Sequence, residues 1–593
     1  MVTQYETMAT IDSSVSDNFS TVVSRSTQRQ RVLLVCPPFQ HVSVASLSTA
    51  QLATYLRATG AVCQEAYLHF ELAKIVGLQR YRDATEGTGA THAELLFAEG
   101  YHGAPLEPEY AEIVSRMFGS PSERDRIREA FEASCVAHLE QARPDVVGLT
   151  TSFSQLMPSL WMARIIKRWM PSITVVLGGS ACDLPMGRAI LDAYPDVDCI
   201  VSGYGEMPLL ALSTGILRTR CVIENLAAPD SGEALLPDYE SYLRQAEQFE
   251  GDAQINLVFQ SSRGCWWAEK HACNFCGLNG SQRGFVSKSS ERTLMEIRTL
   301  WERHGKNLLA ADSVMAREHL RGVIPRLGEF ETGPRVFYEL KANLTEAEVV
   351  ALARARILAQ IGIESLSTHL LKQMNKGTTA IGNLATLKWC RERRVPVAWN
   401  QLCAIPGERE QDYEQQITLM RRIPHFPPPD LVNPIKVERF SAHFERFRDF
   451  GWTGVEPNPL YRALHPHLDD RALGQIATHF VGVGGVSAVT YFNRFAAAVA
   501  EWRERNARND GLFLDPQLGL VLNTPPTSRR YQLPKVVMRV LDCTHRVTAI
   551  ERVLDDVQCD RSTLSEMQEH GMLHIEGDRV LNLTIRTQPP ALG

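Results

Sequence analysis

Residues 261–280 read SSRGCWWAEKHACNFCGLNG and carry Cys265, Cys273 and Cys276 on one short stretch. Seven residues separate the first two cysteines, and two separate the second pair. Iron–sulfur clusters need soft, deprotonated thiolates at short separations, and a Cys-x-x-Cys pair on one loop presents two sulfurs to neighbouring irons. A third cysteine can lie farther along the chain. The stretch therefore predicts a [4Fe–4S] cluster with three protein ligands and one iron left open.

The same spacing also allows a structural zinc site, because His271 lies two residues before Cys273 and could complete a Cys3His tetrahedron. A zinc knuckle is usually a small self-contained fold, whereas this loop follows the apolar run INLVFQSSRGC inside a long α/β region. The context favours the cluster. Because an open iron that binds and reduces S-adenosylmethionine (SAM) is the best-known use of such a vacancy, the loop predicts a radical enzyme.

Length and charge restrict the class of protein. A chain of 593 residues predicts about three to five domains. Lys and Arg total 62 against 68 Asp and Glu, so the net charge of −6 gives no electrostatic reason to expect a nucleic acid or an anionic membrane as partner. Small ligands or a peptide fit better.

The cysteines and the apolar runs predict the compartment. No window reaches the roughly 18 uninterrupted apolar residues of a membrane span, and the first thirty residues lack the apolar centre of a secretory signal. Most of the 13 cysteines, such as Cys36, Cys182 and Cys403, stand singly in apolar runs, as buried thiols do. We therefore expect a soluble protein of the reducing cytoplasm.

The amino-terminal third predicts a Rossmann-like α/β domain over residues 29–225. Residues 1–28 are rich in Ser, Thr and Gln and predict a disordered tail. Folding is expected to start at RVLLVCPPF, a buried parallel strand, with a helix at about 48–59. Further strands are predicted at 145–152, 173–180 and 198–206, with helices between them.

These strands end in small or hydroxyl residues. They are Thr150, Thr151, Ser152, Gly178, Gly179, Ser180, Gly203, Tyr204 and Gly205. In open parallel sheets the ligand crevice lies beyond the carboxyl ends of the strands, so these positions could approach one ligand together. The alternative for each glycine is an ordinary tight turn.

A second repeating pattern follows a polar, acidic linker at 226–253. Strand candidates within 254–470 alternate with helices, which predicts a full or partial (β/α) barrel. They read INLVFQS, KNLLAAD, RVFYELKAN, AQIGIES, PVAWNQLCAIPGE and LVNPIKVERFS. The cysteine loop follows the first of them, at the carboxyl end of a strand, where barrel enzymes place their chemistry.

Residues 471–593 predict a small carboxyl-terminal α+β module. Short strands GLFLD and LGLVLNTPP precede helices near 534–542, 548–555 and 561–571, and a hairpin is expected around Gly577 and Asp578. The order suggests a winged-helix-like fold. Its helices carry no obvious basic stripe, which argues against DNA binding.

The chain resembles cobalamin-binding radical SAM enzymes, specifically the family called RiPP maturation radical SAM protein 1 or radical SAM C-methyltransferases. RiPPs are ribosomally made, post-translationally modified peptides. The resemblance spans about residues 30–590 and rests on SSRGCWWAEKHACNFCGLNG, FYELKANL, QIGIESLS with KGTTAIGN, WNQLCAIPGE and VERFSAHF in that order. The family spacing is C-x7-C-x2-C, and this chain follows it. The resemblance thus implies that Cys265, Cys273 and Cys276 hold the cluster.

The resemblance also implies SAM-binding residues. Phe275 is expected against the adenine. Polar residues at predicted strand ends are expected around the rest of the cofactor: Asp312, Glu339, Lys341, Asn343 and Glu364. Carboxylates can bind ribose hydroxyls, a lysine can meet the methionyl carboxylate, and amides can serve either. The alternative is a salt-bridge network within the barrel mouth.

The amino-terminal domain resembles the family's cobalamin domain. The implied cobalamin-binding residues are Thr150, Thr151, Ser152, Gly178, Gly179, Ser180, Gly203, Tyr204 and Glu206. None of the histidines stands in an Asp-x-His-x-x-Gly loop, so a histidine from that motif is not expected on the cobalt. Tyr338, Trp399 and Tyr461 are aromatic candidates for a substrate wall, with ordinary core packing as the alternative.

The implied activity is methylation of an unactivated carbon in a ribosomal peptide precursor. One SAM molecule would methylate the cobalamin, and another would be cleaved to a 5′-deoxyadenosyl radical that removes a hydrogen atom from the substrate. An external electron donor of flavodoxin or ferredoxin type is implied. The carboxyl-terminal module also resembles leader-peptide recognition elements, with a structural cap as its alternative.

Three other functions stay open on the sequence. The first is methylation of a free amino acid such as tryptophan, as in a related thiopeptide enzyme. The second is non-methylating radical chemistry, such as epimerisation or ring formation. The third is a non-catalytic cobalamin or iron–sulfur sensor, against which the intact cysteine triplet and the barrel pattern argue.

Overall fold

The computed structural model describes residues 9–10, 30–86, 89–152, 154–215, 220–226, 235–247, 254–278, 280, 284–484, 489–515 and 519–587. The chain divides into two units. The first unit comprises Met1–Phe259 and Glu456–Val481, and the second comprises Gln260–Val455 and Gly482–Gly593.

The strands are β1 (Ala9–Thr10), β2 (Arg31–Cys36), β3 (Val62–Tyr67), β4 (Val146–Thr150), β5 (Thr174–Gly178), β6 (Cys199–Gly203), β7 (Cys221–Asn225), β8 (Asn256–Phe259), β9 (Ser262–Arg263), β10 (Val286–Ser287), β11 (Asn307–Ala310), β12 (Val336–Lys341), β13 (Ile357–Gly362), β14 (Val397–Ala398), β15 (Asn400–Cys403), β16 (Leu431–Pro434), β17 (Val437–Glu438), β18 (Gly454–Pro457), β19 (His479–Val483), β20 (Gly511–Asp515), β21 (Gly519–Thr524), β22 (Thr527–Tyr531), β23 (Thr548–Ala549), β24 (Leu573–Glu576), β25 (Arg579–Asn582) and β26 (Ile585–Arg586).

The α-helices are α1 (Leu47–Ala58), α2 (His69–Val76), α3 (Leu78–Thr85), α4 (Gly89–Ala93), α5 (Leu95–His102), α6 (Pro108–Phe118), α7 (Pro121–Ala142), α8 (Leu156–Trp169), α9 (Met186–Ala193), α10 (Glu206–Ser213), α11 (Glu240–Glu247), α12 (Ala268–His271), α13 (Ser290–His304), α14 (Arg317–Gly322), α15 (Ile324–Leu327), α16 (Glu346–Arg354), α17 (Thr368–Gln373), α18 (Ala380–Arg393), α19 (Glu410–Arg422), α20 (Ala442–Glu445), α21 (Leu460–Leu464), α22 (Asp470–Ile476), α23 (Val489–Ala507), α24 (Lys535–Cys543), α25 (Ile550–Val557) and α26 (Arg561–Glu569). Short 3₁₀ turns lie at Ser180–Cys182 and Phe447–Phe450.

The first unit is built on a seven-stranded sheet in the order β1-β7-β6-β5-β4-β2-β3, and every pairing in it is parallel. The strands are short apolar runs whose residues are almost all buried, as expected of a parallel sheet with both faces covered. The predicted α/β domain with a parallel sheet is confirmed.

Two predictions about the ends of this unit need correction. Ala9–Thr10, within the predicted disordered tail, pair with β7, while the rest of that tail lies outside the described residues. The predicted linker contains α11, and the buried Tyr242 hydroxyl donates to the Val42 carbonyl at 3.2 Å. The described part of this segment therefore packs within the first unit. Its polar composition predicted a linker, because composition does not show that Tyr242 is buried.

The division of the chain also differs from the predicted boundaries at 254 and 470. Residues 456–481 belong to the first unit, although 456–470 fall within the predicted barrel and 471–481 within the predicted carboxyl-terminal module. The His102 side chain contacts the Leu464 carbonyl at 3.1 Å, and Tyr194 hydrogen-bonds to the buried His465 ring. Apolar periodicity shows that α21 is amphipathic but not which core it joins.

The second unit places parallel strands in two arrays, β11 to β14 in sequential order and β15 with β16. A parallel bridge from Glu364 to Gln401 links them. Helices alternate with these strands, as in a partial (β/α) barrel. The carboxyl ends of β12 and β13 therefore lie side by side.

The carboxyl-terminal residues form the helices α24, α25 and α26 and the antiparallel hairpin of β24 and β25, at the positions that the sequence predicted. Val540, Val553, Leu564 and Val580 belong to their shared core. β20, β21 and β22 form an antiparallel meander. Among the helices of the described residues, none has the length and hydropathy needed to cross a membrane.

Candidate functional site

The cysteine loop follows β9 and contains the short helix α12. Close backbone approaches fix both of its ends. At Gly264, with φ +82°, a Cβ atom would lie 2.1 Å from the Gly284 carbonyl oxygen. At Gly277 it would lie 1.9 Å from the Arg439 carbonyl oxygen. Only glycine permits these approaches, so the fold determines where the loop begins and ends.

The segment 373–377 clamps the loop by hydrogen bonds. The Asn274 side chain donates to the Gln373 carbonyl at 2.7 Å, and its backbone N–H donates to Met374 at 3.0 Å. In the other direction, the Asn375 side chain donates to the Ala272 carbonyl at 2.9 Å. The loop is therefore held in one conformation on both sides of Cys273.

Two lysines lie against aromatic residues of this loop. The Lys341 ammonium is 3.7 Å from the centroid of the Trp267 ring. The Lys376 ammonium is 5.7 Å from the centroid of Phe275, which stands between the last two cysteines. Lys341 also donates to the Lys376 carbonyl oxygen. Sequence reasoning missed Lys376, although it begins the KGTTAIGN signature.

The lysines act electrostatically on the three half-buried cysteines. Burial raises the pKa of the Cys273 thiol, and the ammonium groups of Lys376 and Lys341 oppose that rise. Burial also raises the pKa of Cys276, to about 12, with Lys376 again opposing. Lys341 interacts with Cys265 as well as with Cys273. Each of the three cysteines thus interacts with at least one of the two cations, which fits thiolate ligands of an anionic iron–sulfur cluster.

The zinc alternative finds no support. The ring of His271 packs against Trp267, with centroids 4.6 Å apart. In the part of the chain that the structure describes, which includes Cys265, Cys273 and Cys276, no group of three or more His, Cys, Asp or Glu side chains converges on one metal-ion position. Thiolates on a cluster are instead spread over several irons.

Two carboxylates complete the charged cluster at the ends of β12 and β13. The Lys376 ammonium pairs with Glu364 at 2.8 Å, and both side chains are largely buried. Glu339 shares a face of β12 with Lys341. Burial and the neighbouring Glu364 raise the pKa of Glu339 to about 7. The structure therefore brings Glu339, Lys341 and Glu364 together, whereas Asn343 is exposed beyond the strand.

Asp312 has a structural role that the sequence did not predict. Its side chain is 2% exposed and accepts hydrogen bonds from the Ser261 N–H at 2.8 Å, the Ser261 hydroxyl and the Ser262 hydroxyl at 2.8 Å. These bonds join the start of the cysteine loop to the end of β11. The prediction that Asp312 binds SAM is corrected, because its carboxylate is already occupied.

We expect Asp312→Asn to destabilise the second unit rather than weaken SAM binding. The neutral side chain loses charge-assisted bonds to buried donors, so the free energy of unfolding should fall by about 2 kcal/mol. Denaturant unfolding and a SAM titration measure the two effects. Asp449→Asn, which removes an exposed carboxylate 3.6 Å from Arg446, is the control and should have little effect. A large loss of SAM affinity at unchanged stability would instead show that Asp312 binds SAM.

Two of the three aromatic candidates for a substrate wall are core residues. Tyr338 is fully buried, and its hydroxyl donates to Ser261 at 3.2 Å. Trp399 is fully buried, and its indole donates to the Pro427 carbonyl at 3.0 Å. Tyr461 lies in the first unit, where its hydroxyl accepts from the Thr478 N–H at 3.0 Å. Tyr338 and Trp399 belong to the core, which corrects their placement in a substrate wall, and a substrate role for Tyr461 stays a prediction.

Unpaired polar atoms in the second unit fit a polar ligand. The Gln401 side-chain oxygen and the Thr378 hydroxyl are buried and have no hydrogen-bond partner among the described residues. Gln401 is bridged through its backbone to Glu364, and Thr378 lies two residues after Lys376. Buried polar groups normally find partners, so these atoms fit the amide and hydroxyl contacts of a bound SAM. Thr378 lies in KGTTAIGN and Gln401 in WNQLCAIPGE, but no local pattern distinguishes either residue from its neighbours.

In the first unit, the predicted strand ends do lie side by side. Thr150 pairs in register with Gly178, Gly178 with Val201, and Gly203 with Asn225. Ser180 is exposed beyond β5, and Glu206 begins α10 as a buried residue. The carboxyl ends of β4, β5 and β6 thus form one edge of the sheet.

Backbone contacts shape this edge. Gly179 has φ +118°, and a Cβ atom there would lie 3.0 Å from the Thr151 amide nitrogen and 3.2 Å from that of Ser152. Thr151 is buried and donates through its hydroxyl to the Gly178 carbonyl, so it supports the turn. The Tyr204 N–H donates to the Asn225 carbonyl at 2.8 Å. An edge of small residues with close backbone approaches fits a large cofactor such as cobalamin.

We expect Gly377→Ala to disturb the cysteine loop. Gly377 has φ +69°, and a Cβ atom there would lie 2.3 Å from the Trp267 ring. The ring must move, which we expect to lower the free energy of unfolding by about 1–3 kcal/mol beyond the backbone strain. Gly451→Ala is the matched control, because Gly451 has φ +81° and open space around the same position. Unfolding and iron content after reconstitution measure the difference, and equal losses in both variants would exclude the Trp267 contact.

Residues 259–420 match the radical SAM superfamily. The chain is 23% identical over 358 residues to an uncharacterised methyltransferase of Pyrococcus horikoshii, covering 56% of this chain and 76% of that protein. It is 21% identical over 249 residues to the ribosomal protein uS12 methylthiotransferase RimO of Chlorobium luteolum, covering 40% and 48%.

Among solved structures, the chain is similar to the radical SAM methyltransferase TsrM of Kitasatospora setae with cobalamin and a [4Fe–4S] cluster bound. The TM-score is 0.51 at 15% identity, covering 92% of this chain and 100% of that one. This likeness shows a shared fold. Residues 259–420 therefore match a radical SAM domain, and the chain shares its fold with TsrM of Kitasatospora setae.

Proposed function

We propose that this protein is a cobalamin-dependent radical SAM C-methyltransferase that acts on an unactivated carbon of a ribosomal peptide precursor. The observation that carries the proposal is the clamped three-cysteine loop beside the charged cluster of Glu339, Lys341, Glu364 and Lys376. The methyltransferase relatives and the shared fold support methyl transfer. The sequence signatures of the peptide-modifying family support the peptide substrate.

Cys265, Cys273 and Cys276 would hold the [4Fe–4S] cluster. The bound cluster supplies the electron that cleaves SAM to a 5′-deoxyadenosyl radical. The chain's own task is to fix these thiolates, and the clamp at 373–377 does so from one side. Fixed thiolates would hold the cluster in one place relative to the residues that would bind SAM.

Three charged side chains would bind and orient SAM. Lys341 is suited to the methionyl carboxylate, because its ammonium is held by the Trp267 face and the Lys376 carbonyl. Glu339 and Glu364 are suited to the ribose hydroxyls. Gln401 and Thr378 offer unpaired polar atoms, and Phe275 is suited to the adenine. Together these groups replace water around a polar ligand.

The first unit would bind cobalamin at the carboxyl ends of β4, β5 and β6. Cobalamin supplies a carrier for the transferred methyl group. The exposed turn at Gly179 and Ser180, with the ends of β4 and β6 beside it, leaves backbone groups accessible because side chains are small there. These residues would hold the cofactor without a histidine from an Asp-x-His-x-x-Gly loop, which the chain lacks.

A peptide substrate has an exposed strand edge available in the second unit. All five residues of β22 are exposed, and β22 is an edge strand of its sheet. An extended peptide can add to such an edge through main-chain hydrogen bonds. Arg529 and Arg530 would favour acidic residues in that peptide. We propose this meander or the neighbouring helical module for leader recognition.

An external one-electron carrier of flavodoxin or ferredoxin type would reduce the cluster. A cleft of about 460 Å³ is lined by Cys276 and by the exposed side chains of Lys270 and Arg446, among others. A carrier approaching this cleft would come close to one cluster ligand. The basic side chains suit an acidic carrier.

A second candidate is methylation of free tryptophan. The structure of TsrM of Kitasatospora setae has also been solved with a tryptophan substrate and a SAM analogue bound. Its alignment with this chain covers 80% of this chain and 89% of TsrM, with a TM-score of 0.51. The shared fold is the observation that favours a free amino acid as the alternative substrate. Methylation of tryptophan does not require that a hydrogen atom be removed from the substrate.

The two candidates separate by their products. Protein reconstituted anaerobically with iron, sulfide and cobalamin is given SAM, a reductant and either a precursor peptide or tryptophan. Peptide methylation at an unactivated carbon should give S-adenosylhomocysteine together with 5′-deoxyadenosine. Methylated tryptophan without 5′-deoxyadenosine would favour the second candidate. 5′-Deoxyadenosine with a modified but unmethylated substrate would instead show non-methylating radical chemistry.

A further inference from the structure

The Lys376–Glu364 ion pair lies next to the cysteine loop, and no role in SAM binding accounts for Lys376. We propose that Lys376 is a positioning residue whose fixed positive charge raises the reduction potential of the iron–sulfur cluster, and that Glu364 moderates this effect. The inference rests on the cluster of the proposed function.

The position of Lys376 is fixed from three directions. Its ammonium donates to the Glu364 carboxylate at 2.8 Å, and the two side chains are 12% and 15% exposed. Its carbonyl accepts from Lys341. Its own backbone belongs to the segment that clamps the loop around Asn274. The charge is therefore held in place rather than carried on a mobile surface side chain.

The electric field of Lys376 reaches the cluster ligands. The ammonium lies 5.7 Å from the centroid of Phe275, which adjoins Cys276, and it interacts with both the Cys273 and Cys276 sulfurs. Charges that are largely buried are screened less than surface charges. Reduction adds one negative charge to a cluster, so a fixed cation that interacts with its thiolate ligands stabilises the reduced form and raises the potential.

Neighbouring charges determine the expected signs. Glu364 opposes Lys376 because its carboxylate lies 2.8 Å from the Lys376 ammonium and raises the pKa of Cys273, which Lys376 lowers. Lys341 adds a second positive charge near Cys273, and Glu438 adds a negative one near Cys276. Removal of Lys376 alone should lower the potential, and removal of the Glu364 charge alone should raise it. A merely structural ion pair would give no such opposite shifts, because breaking it from either side destabilises the same contact.

The experiment is an equilibrium redox titration of the reconstituted cluster without SAM, followed by electron paramagnetic resonance. Lys376→Met should lower the ratio of reduced to oxidised cluster about tenfold at a fixed potential, which is about 59 mV for one electron. Glu364→Gln should shift the ratio in the opposite direction. Lys376→Arg keeps the charge and should stay near wild type. Lys372→Met is the matched control, because Lys372 is an exposed lysine of the preceding helix α17.

Each outcome decides between the alternatives. An unchanged potential in Lys376→Met with full iron content would overturn the inference, as would shifts of the same sign in Lys376→Met and Glu364→Gln. If Lys376→Met fails to hold a cluster, the double variant with Glu364→Gln, which removes both charges, must give a smaller shift than Glu364→Gln alone. If wild-type protein itself assembles no cluster, the proposed function fails and this inference fails with it, whereas an unshifted potential in a protein with full iron content overturns this inference alone.

Discussion

Replacement of Cys273 by alanine is expected to abolish cluster assembly and SAM cleavage. Cys273 lies at the centre of the clamped loop and interacts electrostatically with Cys265, Lys341 and Lys376. Loss of one of three thiolates leaves two irons without protein ligands, and an incomplete cluster cannot hold SAM at its open site. Iron and sulfide content, visible absorbance and 5′-deoxyadenosine formation should all fall to background.

The control for this substitution is Cys559→Ala. Cys559 is also half-buried but lies outside the loop, near the helices of the carboxyl-terminal module. It should keep full iron content and turnover. Retention of a four-iron cluster with SAM cleavage in Cys273→Ala would exclude this cysteine as a ligand and would return the loop to a structural role.

Gly179→Ala is expected to weaken cobalamin binding about tenfold or more while leaving the iron–sulfur cluster intact. At φ +118° a side chain is strained by roughly 1–2 kcal/mol, and its Cβ atom would press on the Thr151 and Ser152 amides. The turn must shift, and with it the edge formed by β4 and β5. Cobalamin retained after gel filtration, measured by absorbance, gives the effect.

Gly77→Ala provides the matched control in the same unit. Gly77 has φ +88°, but no atom lies within 4 Å of the added Cβ position. Backbone strain is therefore similar, whereas the strand-end edge is untouched. If both variants lose cobalamin equally, the loss reflects general strain, and the edge is not the binding site.

Local patterns in the sequence are sufficient to predict much of the fold. Buried parallel strands are continuous apolar runs, so β2, β4 and β6 were predicted near their observed positions. The cysteine loop and the carboxylates at the strand ends were also predictable, because parallel strands place successive carboxyl ends at one edge. Glu339, Lys341 and Glu364 meet for this reason.

Other features depend on contacts between distant residues, which no local pattern contains. Asp312 has the residue type and position of a ligand, but Ser261 and Ser262 occupy its carboxylate. Trp399 has the residue type of a substrate wall, but it packs against Trp502 in the core. Lys376 follows a helix rather than a strand, so nothing in its neighbourhood predicted its pairing with Glu364.

The most direct test of the account uses SAM with a trideuteromethyl group. Reconstituted protein with cobalamin, reductant and a precursor peptide is analysed by mass spectrometry. The account predicts that the peptide gains one trideuteromethyl group on carbon, with S-adenosylhomocysteine as co-product, and that omission of cobalamin abolishes the gain. Formation of 5′-deoxyadenosine without label on either the peptide or tryptophan, in protein with full cluster and cobalamin content, would contradict it.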